Sequence, residues 1–200
     1  MNLTGITEFD EVLVKHFLDS LCCVKAVDMN NVKTVMDIGT GAGFPGVPLK
    51  IAFPEVEACL LDSLNKRVKF LEETFALLGL EGISAINERA EEYAKNKAYR
   101  EKYDLCVSRA VSGLATLSEY CLPYVKVGGL FVSYKSVSVK EEAEAAEKAV
   151  KILGGKIRDI QYFDLPGSEI GSYLVIIEKV TNTPGKYPRK AGTPLREPLA

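Results

Sequence analysis

Residues 37–53 read DIGTGAGFPGVPLKIAF, four glycines and two prolines between an apolar run and a stretch whose spacing predicts a helix. The run before it, VKTVMDIG (32–39), and the run after it, VEACLLD (56–62), are short and rich in β-formers, and each carries an acid near its end, Asp37 and Asp62. The segment between them is long enough for one crossover helix. The stretch is therefore the turn of a βαβ unit, and the two flanking strands are expected to be parallel neighbours.

The same alternation continues outward. SLNKRVKFLEETFALLGL (63–80) sets Leu64, Val68, Leu71, Phe75 and Leu78 on one helical face and stops at Gly79. GISAINE (82–88), YDLCVSRAV (103–111) and GLFVSYK (129–135) read as three more strands, with helical stretches at 112–125 and 139–153. KIRDIQYFDL (156–165) and SYLVIIEKV (172–180) are separated only by PGSEIG, too short for a parallel crossover, so they are expected to form an antiparallel hairpin. Upstream, TEFDEVLVKHFLDSL (7–21) opens with Thr7 and Asp10 at capping-box spacing and reads as a helix. The expected fold is α/β: a doubly wound, Rossmann-like, seven-stranded and mostly parallel sheet ending in an antiparallel hairpin. Three parts are expected: a helical segment over 1–30, the sheet domain over 31–181, and a tail over 182–200 in which Pro184, Pro188, Pro194 and Pro198 argue against regular structure.

Composition narrows the class. The chain has 200 residues, 47% of them hydrophobic, which suffices for a substantial core. No apolar stretch approaches the about 20 residues needed to cross a bilayer, and the first residues lack a basic region followed by an apolar one, so a cytoplasmic protein with no membrane partner is expected. The five cysteines, Cys22, Cys23, Cys59, Cys106 and Cys121, lack CxxC spacing, and His16 is the only histidine, so no metal site is expected. The net charge of −2 excludes a polycation, and any nucleic-acid surface must be local. The tail is one candidate, with Lys186, Arg189, Lys190 and Arg196 against the single acid Glu197.

Three readings of the glycine stretch compete. Gly41, Gly43 and Gly46 match the GxGxxG of a dinucleotide site, with Asp62 21 residues beyond Gly41. The same residues also read DxGxGxG, with Asp37 where a dinucleotide fold wants an apolar side chain. A ligand with a cationic sulfonium, an amino-acid tail and an adenosine suits that acid better, with Asp62 taking the ribose hydroxyls, and this is the pattern of S-adenosylmethionine binding. A merely tight strand-to-helix turn is the third reading. Glycines at 39, 41 and 43 allow close backbone approach in either ligand case. RAEEY (89–93) follows the third strand, where an adenine edge would lie, and makes Glu91 a candidate, although a helix-start acid explains it equally. Arg109 ends the fourth strand at the carboxyl edge, where ligands sit in open α/β sheets. The segment SRAVSGL stands where an amino-group methylase would carry an Asn/Asp-Pro-Pro-aromatic motif. No cysteine lies in that loop for covalent activation of a pyrimidine.

Taken together, NLTGIT, KHFLDSL, DIGTGAGFPGVPLKI, LLDSLNKRVKFL, RAEE, SRAV and YPRKAGTP resemble the glucose-inhibited division protein B family over the length of the chain. The resemblance implies a class I S-adenosylmethionine-dependent methyltransferase, bacterial and monomeric, that methylates guanine N7 in small-subunit (16S) ribosomal RNA. It also implies a longer N-terminal helical extension in relatives, of which residues 1–30 are a shortened form. It carries donor-binding roles onto Gly39, Phe44, Ala90, Glu91 and Arg109, beside Asp37, Gly41 and Asp62 from the residues themselves, and Arg109 becomes the catalytic candidate. Lys66, Arg67 and Lys135, expected near the carboxyl edge, and Lys186, Arg189 and Lys190 in the tail are the candidate RNA contacts, with a solvated helix face as the plainer reading of the first two and a tail folded over the donor pocket as the alternative for the last three. Two other functions compete: a non-catalytic nucleotide-binding regulatory module of the same fold, and an NAD-dependent oxidoreductase.

Overall fold

The structure is a computed structural model and describes residues 8–109, 111–135, 139–167 and 171–199. Its seven strands are β1 (Thr34–Ile38), β2 (Glu57–Asp62), β3 (Ile83–Asn87), β4 (Tyr103–Arg109), β5 (Val125–Lys135), β6 (Gly155–Phe163) and β7 (Ser172–Lys179). They form one sheet in the order β3-β2-β1-β4-β5-β7-β6. Strand β7 pairs antiparallel with both β5 and β6 and is the strand reversed against the rest, so the hairpin read from its short connection is present. Ser168, Glu169 and Ile170 of its turn lie outside the described residues, as does Thr7 of the capping box.

The helices are α1 (Phe9–Val12), α2 (Asp19–Leu21), α3 (Gly46–Ala52), α4 (Asn65–Leu78), α5 (Ala90–Tyr93), α6 (Leu114–Cys121), α7 (Val139–Ile152) and α8 (Thr193–Arg196). A π-helical turn, Leu13–Leu18, joins α1 to α2, so the single helix expected over 7–21 is realised as a mixed helical run. On α4 the expected apolar face is buried only at Val68, Leu71 and Phe75. Leu64, just before the helix, and Leu78, its last residue, are about half exposed. Gly79 ends this helix at φ +61, where a side chain would be strained.

Because helices cover both faces, adjacent residues of the central strands are buried on opposite sides. Met36, Ile38 and Cys106 enter one cluster with Leu117 and Phe131, while Val35, Leu105 and Val107 enter the other with Leu49 and Tyr134. Strand β1 lies between β2 and β4, with Asp37 level with Leu60 and Val107. The chain winds outward in opposite directions from this point, so the carboxyl ends of β1 and β4 diverge into a crevice.

The tail departs from the expectation of irregular structure. It contains α8, with Pro194 in the first turn, where a missing N–H costs no helical bond. It is also anchored along its length. Lys179 is fully buried and its Nζ donates to Leu122 O and Thr183 Oγ1, while burial pulls its pKa down to about 8. Thr183 N donates to Glu101 Oε1 at 2.7 Å, and Arg100 donates to Thr183 O and Tyr187 O, both at 2.9 Å.

Candidate active site

The glycine turn is held by two carboxylates. Asp37, at the end of β1, is wholly buried, and its Oδ2 accepts from Thr40 Oγ1 at 2.7 Å and from Gly46 N at 2.9 Å. Burial pushes its pKa up to about 6, against the pull of those two donors. Its second oxygen, Oδ1, is buried without a hydrogen-bond partner among the described residues. Asp62, at the end of β2, accepts from Gly41 N at 3.0 Å and Arg67 Nη1 at 3.1 Å through Oδ2, and from Leu64 N at 2.9 Å through Oδ1. The two acids of the DxGxGxG reading thus fix the turn from below and from the side. Gly39, Gly41 and Gly43 all have positive φ, at +70, +62 and +97. A Cβ on Gly39 would meet Val111 Cγ2 at 2.5 Å, whereas one on Gly41 would enter open space.

Asp62, which holds Gly41, lines a cavity of about 330 Å³ at the carboxyl edge, together with Gly39, Arg67, Ala90, Glu91 and Ser112. Four expected donor residues therefore share one cavity wall, at Gly39, Asp62, Ala90 and Glu91, and Gly41 joins them through Asp62. The cavity has a mixed surface: Ile38, Leu61, Val111, Tyr120 and Leu195 add apolar area beside the carboxylates. Glu91 Oε1 accepts from the backbone N of Gly192, which brings the tail to this wall.

Phe44 and Arg109 belong to a neighbouring cluster. The Phe44 ring stacks on His16, with centroids 5.0 Å apart, and meets Phe17 edge-on at 5.2 Å. The Arg109 guanidinium lies over the same ring, 5.2 Å from its centroid. Arg109 Nη1 is tied to Asp19 Oδ2 at 2.8 Å, and Nη2 approaches His16 Nδ1 at 3.4 Å. Burial and this neighbouring cation both lower the pKa of His16. Arg109 is expected in the crevice; its side-chain hydrogen bonds and ion pair all go to the N-terminal helical run, and only its contact with the Phe44 ring reaches the glycine turn. Sequence reading missed Asp19, because a pairing 90 residues apart leaves no local signal.

The expected RNA contacts divide. Lys66, Lys186 and Lys190 are exposed. Arg67 is turned toward Asp62, on the carboxyl-edge cavity. Lys135 is a correction: its Nζ is bound to Ser112 O and Glu142 Oε1, both at 2.8 Å, and Glu142 also accepts from Leu114 N. It holds the loop after β4. Arg189 is a second correction, since its guanidinium grips the fully buried Glu119 at 2.7–3.1 Å and its Nη2 also donates to Glu197 O. A carboxylate inside the core needs a paired cation, and Arg189 is the one that reaches it.

Comparison with known proteins gives the family and the fold. Residues 1–169 match the family model for GidB, rRNA small subunit methyltransferase G. The chain is 51% identical to ribosomal RNA small subunit methyltransferase G of Alkaliphilus metalliredigens and 53% identical to that of Lachnoclostridium phytofermentans, with all of this chain covered and 83% and 82% of theirs. Among solved structures, a SAM-dependent O-methyltransferase from Thermotoga maritima superposes with a TM-score of 0.63 at 15% identity, over 92% of this chain and 70% of its own. M. jannaschii TYW2, solved in complex with AdoMet, gives 0.57 at 13% identity, over 74% and 69%. These structures share the class I methyltransferase fold, and the sequence matches go further: the chain belongs to the GidB family, rRNA small subunit methyltransferase G.

Proposed function

We propose that this chain transfers the methyl group of S-adenosylmethionine to N7 of a guanine in small-subunit (16S) ribosomal RNA, in the cytoplasm and as a monomer. The observation that carries the donor half of the reading is the Gly41 N–H bound to the Asp62 carboxylate beside the carboxyl-edge cavity. The residues fit the donor. Asp37 Oδ1 is a buried oxygen without a partner among the described residues and suited to a cation, Gly41 leaves room that a Cβ would fill, and Asp62 stands where ribose hydroxyls can reach it. Gly39, Ala90 and Glu91 complete the wall.

S-adenosylmethionine supplies a methyl carbon activated by its sulfonium. Guanine N7 has a lone pair and no proton, so no residue has to act as a general base. What remains for the protein is to align the base and exclude water. The stacked Phe44–His16 pair, fixed by Arg109 and Asp19, presents an aromatic surface next to the glycine turn. Arg109 is accordingly a positioning residue for that surface, and a guanine O6 or a phosphate is its best partner in the RNA. Lys66, Lys186 and Lys190 are the exposed cations left for the RNA backbone.

The test is methylation of 16S RNA in vitro, followed by reduction and mild scission, which cleaves at N7-methylated guanosine. Cleavage that depends on enzyme and donor is expected, and resistant but methylated RNA overturns the N7 assignment. Changing Lys186 and Lys190 together to Glu should lower the log-log salt slope of RNA binding by about 1.4, at about 0.7 per phosphate contact.

A further inference from the structure

We propose that the carboxyl-terminal strap, residues 183–199, is a wall of the donor site, with Leu195 as a donor-contacting side chain and the Glu119–Arg189 pair as the latch that positions it. The inference rests on the donor reading above and assigns to the same cavity a segment whose cations are expected from the sequence to meet RNA, with a fold over the donor pocket as the alternative.

Leu195 lines the cavity with Ala90, Glu91 and Tyr120, yet 61% of it is exposed. A leucine this open adds little to the core. At the mouth of a cavity it offers an aliphatic surface to a ring that enters. Val111 lines the cavity in the same half-open state, 40% exposed. Two open apolar side chains beside Asp62 and Glu91 match a ligand that joins a heteroaromatic ring to hydroxyl groups.

The strap is too well anchored for a solubilising tail. Arg189 N donates to Glu119 Oε1 at 2.7 Å in addition to the side-chain pairing, and Thr116 Oγ1 donates to Pro194 O at 3.1 Å. Gly192 N donates to Glu91 Oε1 at 2.8 Å from a backbone at φ +83, which favours glycine. With the Arg189 Nη2–Glu197 O bond, these fix the chain before, within and after α8, and α8 carries Leu195. Helix α6, which contributes Thr116, Glu119 and Tyr120, is thus the platform on which the strap is mounted.

The test uses the full chain and S-adenosylhomocysteine, titrated by calorimetry into wild type, Leu195→Ser and Arg189→Lys. Leu195→Ser should weaken binding about fivefold, on the scale of one partly buried aliphatic side chain, with an unchanged Tm. Arg189→Lys keeps the charge but loses the fork, and should weaken binding while raising amide exchange over 190–197. In wild type the ligand should slow exchange in that same segment. Wild-type affinity in Leu195→Ser, or ligand-independent exchange over 190–197, overturns the strap and leaves the donor reading standing. A wild-type chain that does not bind S-adenosylhomocysteine overturns the donor reading, and the strap with it.

Discussion

The glycine turn and the carboxyl-terminal strap use one device at two ranges. In the turn, Asp37 receives the N–H of Gly46 nine residues away, and Asp62 receives that of Gly41 21 residues away. In the strap, Glu119 receives the N–H of Arg189 across 70 residues, and Glu91 that of Gly192 across 101. Each is a carboxylate with little or no exposure that fixes a stretch of backbone beside the cavity. The difference is what secures the acid. The turn is built on strand ends that the sheet already holds. The strap depends on an arginine brought back from the far end of the chain. Acids that look like ligand groups in a sequence can be chain anchors first, and the ligand then meets the surface they hold in place.

The largest expected effect breaks the turn. Gly41→Val puts a β-branched side chain at φ +62 and into the space beside the cavity. S-adenosylhomocysteine binding should fall by at least about a hundredfold, some 2.7 kcal/mol. Unchanged affinity in a folded variant would remove the turn from the site.

Arg189→Ala probes the strap in the same way. It leaves Glu119 buried without its cation, so urea unfolding should show a loss of about 3 kcal/mol, far above the few tenths expected of a surface arginine. A loss below about 0.5 kcal/mol would mean that the strap is not mounted on Glu119, and the likeness between the two regions would fail.

Asp37→Asn sharpens the comparison, because burial shifts the Asp37 pKa upward and its Oδ1 has no hydrogen-bond partner among the described residues. The folded value of about 6 exceeds the ordinary 3.8, so between about pH 4 and 6 the native state binds more protons than the unfolded chain. Stability therefore falls as pH rises through that window, and the penalty is complete above it. Asparagine can still accept from Thr40 and Gly46 and carries no charge. The variant should be more stable than wild type above pH 6, by on the order of 2 kcal/mol, with the difference vanishing near pH 4. Parallel stability curves across pH 4–7 would show that Asp37 is ionised and compensated in the fold.

The sequence alone determined the order of strands and helices, the reversed hairpin strand and the place of the turn. Those features are written in short-range patterns: apolar runs of strand length, the periodicity of α4, a connection too short to cross over, and glycines spaced for close approach. Of the cavity residues, Gly39 and Asp62 were legible for the same reason, since each sits at a strand end in an α/β sheet; Glu91 was readable only as one of two alternatives, and Ala90 came only with the family resemblance. Tertiary structure alone decided which charges are free. Lys66 and Lys190 remain in solvent, whereas Lys135, Arg189 and Arg109 are drawn to Glu142, Glu119 and Asp19. A cation in a sequence carries no mark of its partner. Whether it meets solvent or a carboxylate depends on which distant elements the core packs beside it, and the cost of leaving a buried carboxylate such as Glu119 unpaired then dictates the answer.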